Sequence, residues 1–530
     1  MSTLERYEMS QTKKWLPVVS VATAGALLLG ACGGDGGGGG GGGEDGDGAA
    51  VQEGPITIMA ALLSAQAPDP DGTLQTAIEE YTGHELDVTW VPNSNYNDRM
   101  NVTLASDDIP QVMLVQGKTP AFIQSAEAGA FWDLTPYLEE YPNLTPESEE
   151  VRLAASVNGT SYGIYRMRDP MRAAVTLRGD WMTNLGLELP ESVEDLEEVM
   201  RAFTQDDPDG NGADDTYGMI IAQWPGGTGT HSPYDVVETW FGAPNRWGEE
   251  NGELAPAFES EAFLEANRWM RSMIEQGFVN ADFATMDSAT WNDPFFNGQG
   301  GIIIDMSSRA GQLQGLFKEQ YPDNYGDYVA MTGNLKGPDG ELNAYPTAGF
   351  SGFLAVPRSS VPTEEDLRRI LEFLNDLSAE EGQILLNNGI EGVNFEVDGD
   401  YAVPIDTENP EVATITNDVA GFAQIGTSSN GYLAHTVLPP GEPERELFEL
   451  RLEVHAADLE HAVYDPAAAL VSQTYITQGA TLDLIVADAR IRYLAGQLDE
   501  AGLVAEVERW RSDGGEAIVQ EVNALYDELG

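Results

Sequence analysis

Apolar and polar positions in residues 56–115 alternate between the spacing typical of strands and the spacing typical of helices. Three short apolar runs have the length and branched side chains of buried strands, and the segments between them place apolar residues three and four positions apart. The predicted elements are the strands 56–60, 86–91 and 111–115 and the helices 73–81 and 97–104. This alternating order predicts a parallel sheet with right-handed crossovers and helices on both faces.

A similar alternation restarts after Trp181 and continues to the end of the chain. Ser192, followed by Asp195, predicts a capped helix start. Trp269 and Trp510 lie at helical spacing among apolar residues, and we expect both in the core. Further predicted elements are the strands 217–222, 301–305 and 352–356, and the helices 263–276, 364–387 (one helix or a pair), 480–495, 499–511 and 516–529.

The N-terminal segment combines a charged start with an apolar run. Lys13 and Lys14 precede the uncharged residues 15–29, and small residues then lead to Cys32, the only cysteine of the chain. This pattern is typical of a secretory signal. It resembles a bacterial lipobox, which implies a lipoprotein signal peptide at 1–31 and a diacylated (palmitate-type) Cys32. The alternative is a transmembrane anchor, but about 15 apolar residues fall short of the roughly 20 that span a bilayer.

Residues 32–53 contain little besides glycine and acidic side chains. Such a segment has no apolar surface to offset the entropy cost of ordering, so we expect a flexible linker. A glycine-rich nucleotide-binding loop is disfavoured, because no strand precedes the run and no Lys-Ser/Thr pair follows it.

The charge of the chain restricts its partners. There are 88 Asp and Glu against 26 Lys and Arg, a formal net charge of −62. This surface repels nucleic-acid phosphates and anionic lipid headgroups, so we expect neither as a partner. Adaptation to salty or alkaline surroundings and a genomic composition bias explain the acidity equally well. Apart from Cys32, no thiol is present for a disulfide, a metal ligand or a nucleophile.

Five short motifs occur in order along the chain, at residues 105–110, 158–164, 177–187, 389–395 and 488–523. Together they resemble the family 1 extracellular solute-binding proteins of ABC importers. Over roughly residues 55–527, the resemblance is to the lipoprotein branch of that family, which is similar to alginate-oligosaccharide-binding proteins. Gln111 and Tyr165 depart from the family pattern.

The resemblance implies an α/β protein with the type II periplasmic-binding-protein fold, two lobes, a hinge and a helical C-terminal region. The first lobe would contain residues 54–165 plus 347–420, and the second 166–346 plus 421–530. A monomer anchored to the outer face of the cell membrane would capture an oligosaccharide between the lobes and deliver it to the ABC permease subunits. It would not be an enzyme. The alternatives are a peptide-binding protein of the same fold, a surface-anchored polysaccharide-degrading enzyme, and a purely structural lipoprotein.

The segment 207–215 repeats the first part of an EF-hand loop. Oxygen-bearing side chains occupy positions 1, 3, 5 and 9, Gly212 is at position 6, and the carbonyl of position 7 completes a set suited to structural Ca²⁺. Gly218 replaces the usual bidentate Glu, whether Thr216 completes the site stays open, and a metal-free turn is the alternative. The predicted ligands are Asp207, Asp209, Asn211, Ala213 and Asp215.

Sugars bind through aromatic rings and planar polar groups, and several such residues follow predicted strand or helix ends. Arg166, together with Arg168, would pair with the carboxylate of a uronic sugar, whereas each aromatic taken singly favours core packing. No catalytic serine elbow or histidine metal motif is present, and His455 and His461 are predicted to be solvated. The predicted ligand-binding residues are Tyr96, Tyr162, Tyr165, Arg166, Trp224, Trp240, Trp247 and Trp291.

Overall fold

The structure, a computed structural model, describes residues 54–64, 66–106, 108–224, 231–399, 401–439 and 441–529. The predicted signal peptide, Cys32 and the linker lie outside these residues. The strands within them are β1 (Ile56–Leu62), β2 (Leu86–Pro92), β3 (Val112–Val115), β4 (Gly163–Met167), β5 (Ala173–Arg178), β6 (Tyr217–Met219), β7 (Trp247–Glu250), β8 (Glu253–Pro256), β9 (Gly300–Met306), β10 (Val329–Thr332), β11 (Phe350–Ala355), β12 (Phe395–Asp398), β13 (Tyr401–Pro404) and β14 (Thr436–Val437).

Helices surround these strands and make up most of the C-terminal region. They are α1 (Thr73–Thr82), α2 (Tyr96–Leu104), α3 (Pro120–Glu127), α4 (Glu149–Ala155), α5 (Gly179–Leu185), α6 (Val193–Gln205), α7 (Pro233–Trp240), α8 (Glu261–Glu275), α9 (Asn292–Phe296), α10 (Ser308–Gln320), α11 (Glu364–Leu377), α12 (Glu380–Asn387), α13 (Pro410–Phe422), α14 (Glu442–Leu459), α15 (Gln473–Leu494), α16 (Glu500–Trp510) and α17 (Glu516–Leu529).

The first sheet has five strands in the order β2-β1-β3-β11-β4. Strands β1, β2 and β3 are parallel, as the alternating pattern predicts, with Ile58 opposite Val112. All four residues of β3 are buried, which is typical of a strand covered on both faces. Strand β11 runs antiparallel to both β3 and β4, so the sheet is mixed at this edge.

The second sheet has four strands in the order β10-β5-β9-β6. In β9, Ile302 and Ile304 pack into one hydrophobic cluster and Ile303 into another, because successive side chains point to opposite faces. A separate cluster surrounds the first sheet. The fold is therefore α/β, as predicted, with hydrophobic cores built around two sheets.

The chain passes from the first sheet to the second within residues 168–172 and returns within residues 333–349. The two segments are hydrogen-bonded to each other. Arg168 donates its backbone N–H to the Gly349 carbonyl at 2.9 Å, and Thr347 donates to the Pro170 carbonyl at 2.8 Å.

Most predicted elements form with small shifts of their ends. Ser192 and Asp195 make a reciprocal capping box on α6, and residues 364–387 form the pair α11 and α12. The strand predicted at 217–222 ends at Met219, and the helix predicted at 480–495 begins at Gln473.

The two tryptophans assigned to the core differ. Trp510 is buried, whereas Trp269 is only half-buried and donates its indole N–H to Glu197. Across the described ranges, no helix has both the length and the apolar character required to cross a bilayer.

Candidate functional site

A cleft of about 1020 Å³ lies between the two sheets. Several parts of the chain line it: α4 and the turn after it, the loop after β3, the segments before α7 and β7, the crossing segment at residues 345–350, the loop between α14 and α15, and α17. A cleft beside the carboxyl end of a parallel strand such as β3 is the usual binding place in α/β proteins. The polar lining residues discussed below are Lys118, Arg152, His231, Arg246, Tyr345 and Asp465.

Lys118 comes directly after β3 and reaches into the cleft wall. Its ammonium group donates hydrogen bonds to the carbonyls of Ser156 at 2.9 Å and Ala468 at 2.5 Å. Burial, aided by the positive charge of Arg246, lowers the pKa of Lys118 to about 8. An ammonium group has three N–H donors, so one N–H of Lys118 is not used by these two carbonyls.

Arg246 lies opposite Asp465, with 4.0 Å between the closest nitrogen and oxygen atoms. The only hydrogen bond of its guanidinium group within the described residues is a long one, 3.5 Å, to the Tyr475 hydroxyl. The Arg246 side chain remains 43% exposed. Its backbone has φ of 61°, a left-handed conformation that is uncommon for residues other than glycine.

His231 and Tyr345 form an aromatic corner of the cleft. Their rings are 4.9 Å apart in an edge-to-face arrangement. Burial lowers the pKa of His231 to about 4, so the imidazole is neutral near pH 7. Its Nε2 atom is buried without a hydrogen-bond partner among the described residues.

Arg152, in contrast, is fully engaged. Its guanidinium makes a bidentate contact with Glu149 at 2.5 and 2.7 Å and also donates to the Gly159 carbonyl and the Ser161 hydroxyl. This pairing neutralises Glu149 on the cleft wall and holds the pKa of that carboxyl below its usual range.

The predicted ligand residues Tyr96 and Tyr165 are buried in the core of the first sheet. Tyr96 donates its hydroxyl toward the carbonyls of Met59 and Leu114, at 3.0 and 2.7 Å. Tyr165 donates to the Ser429 carbonyl at 2.9 Å. In this structure both act as core residues, and their contact with a ligand stays a prediction.

Trp240 and Trp291 are likewise buried around the second sheet. Trp240 donates its indole N–H to Asn334 at 2.9 Å, and Trp291 donates to the Ile220 carbonyl at 3.0 Å. The half-buried Trp224 packs edge-to-face on Trp291 with centroids 5.8 Å apart. The indole N–H groups of Trp240 and Trp291 are therefore already bonded within the protein.

Arg166 is held inside the fold, and burial lowers its pKa to about 10. Tyr162 and Trp247 are half-buried. None of the eight predicted ligand residues is among the described residues that line the cleft. The groups that accept hydrogen bonds from Arg166 are the carbonyls of Ser351, Ala423 and Gly426.

Sequence reasoning did not select Lys118, although a signal was present. It is one of only three lysines after the N-terminal segment, and it directly follows a predicted strand. Arg246 belongs to the region 224–247, whose aromatic and planar polar residues suit sugar binding, but composition alone did not single it out as a ligand residue. Both become recognisable only when distant loops converge.

The loop between α6 and β6 folds around its own acidic side chains. Gly212 donates its N–H to both carboxylate oxygens of Asp207, at 3.0 and 3.2 Å. The Asn211 amide group bridges Asp209 and Asp215, at 2.8 and 3.3 Å. Several of the predicted ligand residues therefore bond to one another within one exposed loop.

Two further observations bear on this loop. Thr216 is buried, and its hydroxyl donates to the Phe203 carbonyl at 2.8 Å, so that hydrogen bond fixes the loop exit. No group of three or more His, Cys, Asp or Glu side chains in the described parts of the chain is arranged to hold a metal ion. Any coordination here would use Asn211 and backbone oxygens as well.

His455 contradicts its prediction as a solvated side chain. It is buried, with Nδ1 2.5 Å from Asp169 and Nε2 2.9 Å from the Ser307 hydroxyl. The order Ser, His and Asp resembles a hydrolytic triad, but these residues do not line the cleft described above. They tie a crossing segment to β9 and α14.

Comparisons with known proteins agree with this architecture. The sequence model of the bacterial extracellular solute-binding protein family matches residues 64–384. The chain belongs to that family, whose members bind solutes for ABC transporters and are not enzymes.

Two similar relatives come from Bacillus subtilis (strain 168). Lipoprotein LipO is 39% identical over 514 residues, covering 97% of this chain and 98% of LipO. The polygalacturonan/rhamnogalacturonan-binding protein YtcQ is 29% identical over 517 residues, covering 97% of this chain and 99% of YtcQ.

Solved structures share the fold at low identity. A solute-binding protein from Bifidobacterium longum infantis, described as binding HMO and associated with an ABC transporter, has a TM-score of 0.69 at 17% identity, covering 90% of this chain and 99% of its own. An EF-hand mutant of the Streptococcus pneumoniae ABC-transporter substrate-binding protein FusA, in complex with fructo-nystose, has a TM-score of 0.59 at 16% identity and covers 90% and 99%.

Proposed function

We propose that this chain is the lipid-anchored substrate-binding protein of an ABC importer and that it captures an oligosaccharide in the cleft between the sheets. The observation that carries the proposal is the cleft itself. Its volume of about 1020 Å³ is at the upper end of the range for small-molecule sites and suits a ligand of several sugar rings. YtcQ, named for binding a polysaccharide, supports the same class of ligand.

The lining of the cleft suits a sugar. Phe350, Tyr464 and Tyr526 expose parts of their rings there, and the negative face of an aromatic ring attracts the C–H groups of a pyranose. Asn245 and Thr347 add uncharged polar groups suited to hydroxyls. A mostly apolar wall with a few convergent polar groups is the usual arrangement of a ligand site.

The ligand is captured when two lobes, each built around one of the two sheets, close on it. The lobes are residues 54–165 plus 347–420 and residues 166–346 plus 421–530, and they close by rotation about the crossing segments. A ligand that contacts both lobes stabilises the closed form by its differential affinity. The permease subunits then recognise that form and receive the intact sugar.

The N-terminal segment holds the protein at the outer face of the membrane. Cys32 carries the lipid, and the glycine-rich residues 33–53 connect it to the binding unit. The lipoprotein name of the relative LipO supports this assignment.

The loop at residues 207–215 binds structural Ca²⁺ in this proposal. Asp207, Asp209, Asn211 and Asp215 supply side-chain oxygens, and Ala213 supplies its carbonyl. The ion would neutralise three neighbouring carboxylates and fix the connection between α6 and β6, with no part in ligand chemistry. The EF-hand named for FusA supports a calcium loop in a protein of this fold.

Isothermal titration of the full-length chain in detergent tests the proposal, with neutral and uronic oligosaccharides as ligands. The variant Ala348→Trp fills the cleft, since Ala348 is exposed on its wall, and Ala413→Trp is a matched control on the exposed face of α13. We expect Ala348→Trp to abolish binding and Ala413→Trp to leave it unchanged.

The same titrations separate the alternatives. Chromatography of the sugar after titration should recover it intact, whereas shorter products would indicate a polysaccharide-degrading enzyme. Binding of peptides but of no sugar would indicate the peptide-binding alternative. Equal binding by wild type and Ala348→Trp would place the site outside the cleft.

A further inference from the structure

Arg246 differs from those arginines of this acidic protein that form close ion pairs. Several described arginines make close bidentate pairs, such as Arg268 with Glu500 at 2.7 and 2.8 Å and Arg511 with Glu259 at 2.9 Å. The nearest carboxylate that Arg246 contacts within the described residues is 4.0 Å away. Most of its five N–H donors are therefore available to a ligand.

The backbone fixes Arg246 in an uncommon conformation. Its φ of 61° lies in the left-handed region, which residues other than glycine rarely adopt. The flanking hydrogen bonds hold it there, since Trp247 donates its N–H to the Asn245 carbonyl and Ala257 donates to the Arg246 carbonyl, both at 2.7 Å. Strain of this kind collects at binding sites, where the surrounding structure imposes it.

A second cation lies on the same wall. Lys118 and Arg246 both interact electrostatically with Asp465, and Arg246 also interacts with Asp483, whose carboxylate accepts a hydrogen bond from the Tyr475 hydroxyl at 2.7 Å. Two cations therefore face two carboxylates, in a chain whose formal net charge is −62. Burial raises the pKa of both carboxyl groups, to about 6 for Asp465, so both are poorly solvated.

The lining contains two further carboxylates. Glu149 pairs with Arg152, and Glu150 accepts a hydrogen bond from the Ser148 hydroxyl at 3.0 Å. The N–H donors of Arg246 that make no close contact lie in a partly enclosed place, where Coulomb interactions are stronger than in bulk water. A planar group with two oxygens, such as a carboxylate, suits these donors.

We infer that Arg246 and Lys118 form a carboxylate-binding subsite that makes the cleft selective for uronic oligosaccharides over neutral ones. The inference rests on the proposed function, namely that the cleft holds an oligosaccharide. The planar guanidinium of Arg246 pairs with both oxygens of a sugar carboxylate, and the third N–H of Lys118 adds a further bond. Asp465 keeps the two cations apart and oriented before the ligand arrives.

The test compares each acidic sugar with its own carboxyl-reduced form. Isothermal titration of the full-length chain in detergent would use oligogalacturonates and alginate oligosaccharides, each paired with the carboxyl-reduced counterpart. We expect at least one acidic sugar to bind about tenfold or more tightly than its partner, because hydrogen bonds to charged groups contribute about 1.5–3 kcal/mol.

Variants assign the selectivity to residues. Arg246→Gln should weaken binding of the acidic sugar at least about tenfold and leave the reduced sugar unchanged. Arg246→Lys should retain part of the preference, because it keeps the charge without the bidentate geometry. Lys118→Met should lower the preference independently. The matched control is Arg201→Gln, which removes the same charge from an exposed position of α6 paired with Asp206.

The outcomes distinguish failure of the carboxylate subsite from failure of the proposed oligosaccharide binding. Equal affinity for acidic and reduced sugars, or an unchanged preference in Arg246→Gln, overturns the subsite and leaves sugar binding intact. Binding of none of these sugars, with retained folding by circular dichroism, overturns both. A peptide that binds through its terminal carboxylate when no sugar does replaces the uronic ligand with a peptide.

Discussion

His455 Nδ1 lies 2.5 Å from a carboxylate oxygen of Asp169, and this contact joins α14 to the segment in which the chain crosses between the sheets. The other ring nitrogen lies 2.9 Å from the Ser307 hydroxyl at the end of β9. One imidazole therefore holds three parts of the chain that are far apart in sequence. Because Asp169 belongs to a crossing segment, the imidazole helps to hold that segment against β9 and α14.

Replacing His455 with leucine should destabilise the protein by about 1–3 kcal/mol, because the buried Ser307 hydroxyl loses its partner. Urea denaturation followed by circular dichroism measures the change. His461→Leu is the matched control, since His461 is exposed just after the same helix. Equal free energies of unfolding for the His455 variant and the control would show that the contacts of the His455 imidazole do not stabilise the fold.

Substitution of Arg490 should reduce stability more than substitution of His455. This buried side chain on α15 contacts Glu238 at 3.0 Å and Asp235 at 3.2 Å on α7. Arg490→Met should cost about 3–5 kcal/mol, because it leaves buried carboxylates without their counter-ion. Arg492→Met, two positions on and more exposed, should change thermal unfolding little. A loss below about 1 kcal/mol in Arg490→Met would contradict the buried-pair account.

His231 predicts a pH dependence of stability. Its pKa is lowered to about 4 in the folded protein, against an ordinary value of 6.5. Between these values the unfolded chain binds a proton that the folded chain does not, so this contribution weakens stability as pH falls from about 6.5 toward 4. The melting temperature of His231→Gln should therefore fall less steeply with decreasing pH in this range than that of wild type. The exposed variant His461→Gln should keep the slope of wild type. An unchanged slope in His231→Gln would contradict the burial argument.

Calcium should stabilise the chain through the 207–215 loop. Wild type is expected to melt a few degrees higher in saturating Ca²⁺ than after chelation, because an ion that binds only the folded state stabilises it. Asp207→Asn should remove most of that difference. Asp214→Asn changes a neighbouring exposed carboxylate outside the proposed ligand set and should retain it. Identical melting of wild type with and without Ca²⁺ would exclude the ion.

Cys32 should determine where the protein is found in a cell. Wild type is expected in the membrane fraction with a lipid-modified N-terminus, whereas Cys32→Ser should not acquire the lipid. Mass spectrometry of the mature N-terminus and cell fractionation measure both. An unmodified Cys32 in a membrane-bound wild type would indicate the transmembrane-anchor alternative instead.

Elements held together by interactions between residues close in sequence could be predicted from the sequence, and those held by distant residues could not. The unit from β1 to β3 was predictable, because apolar periodicity reports burial directly and its crossovers join neighbouring strands. The antiparallel insertion of β11 between β3 and β4 was not, since it pairs residues more than 180 positions apart. The capping box at Ser192 was predictable because both of its members lie within four residues.

The binding site was harder to predict for a similar reason. Residue type does not distinguish a core aromatic such as Tyr96 or Trp240 from one that contacts a sugar, and both are buried here. Lys118 and Arg246 acquire their role only when loops about 130 residues apart converge beside Asp465. Composition gave no hint that two cations lie near each other on the cleft wall of so acidic a chain.

A crystal structure of the chain grown with a bound oligosaccharide tests the central claim most directly. The account predicts an intact sugar in the cleft between the sheets, in contact with residues from both, with a carboxylate beside Arg246 if the sugar is uronic. Sugar density outside this cleft, or a cleaved product within it, would contradict the account.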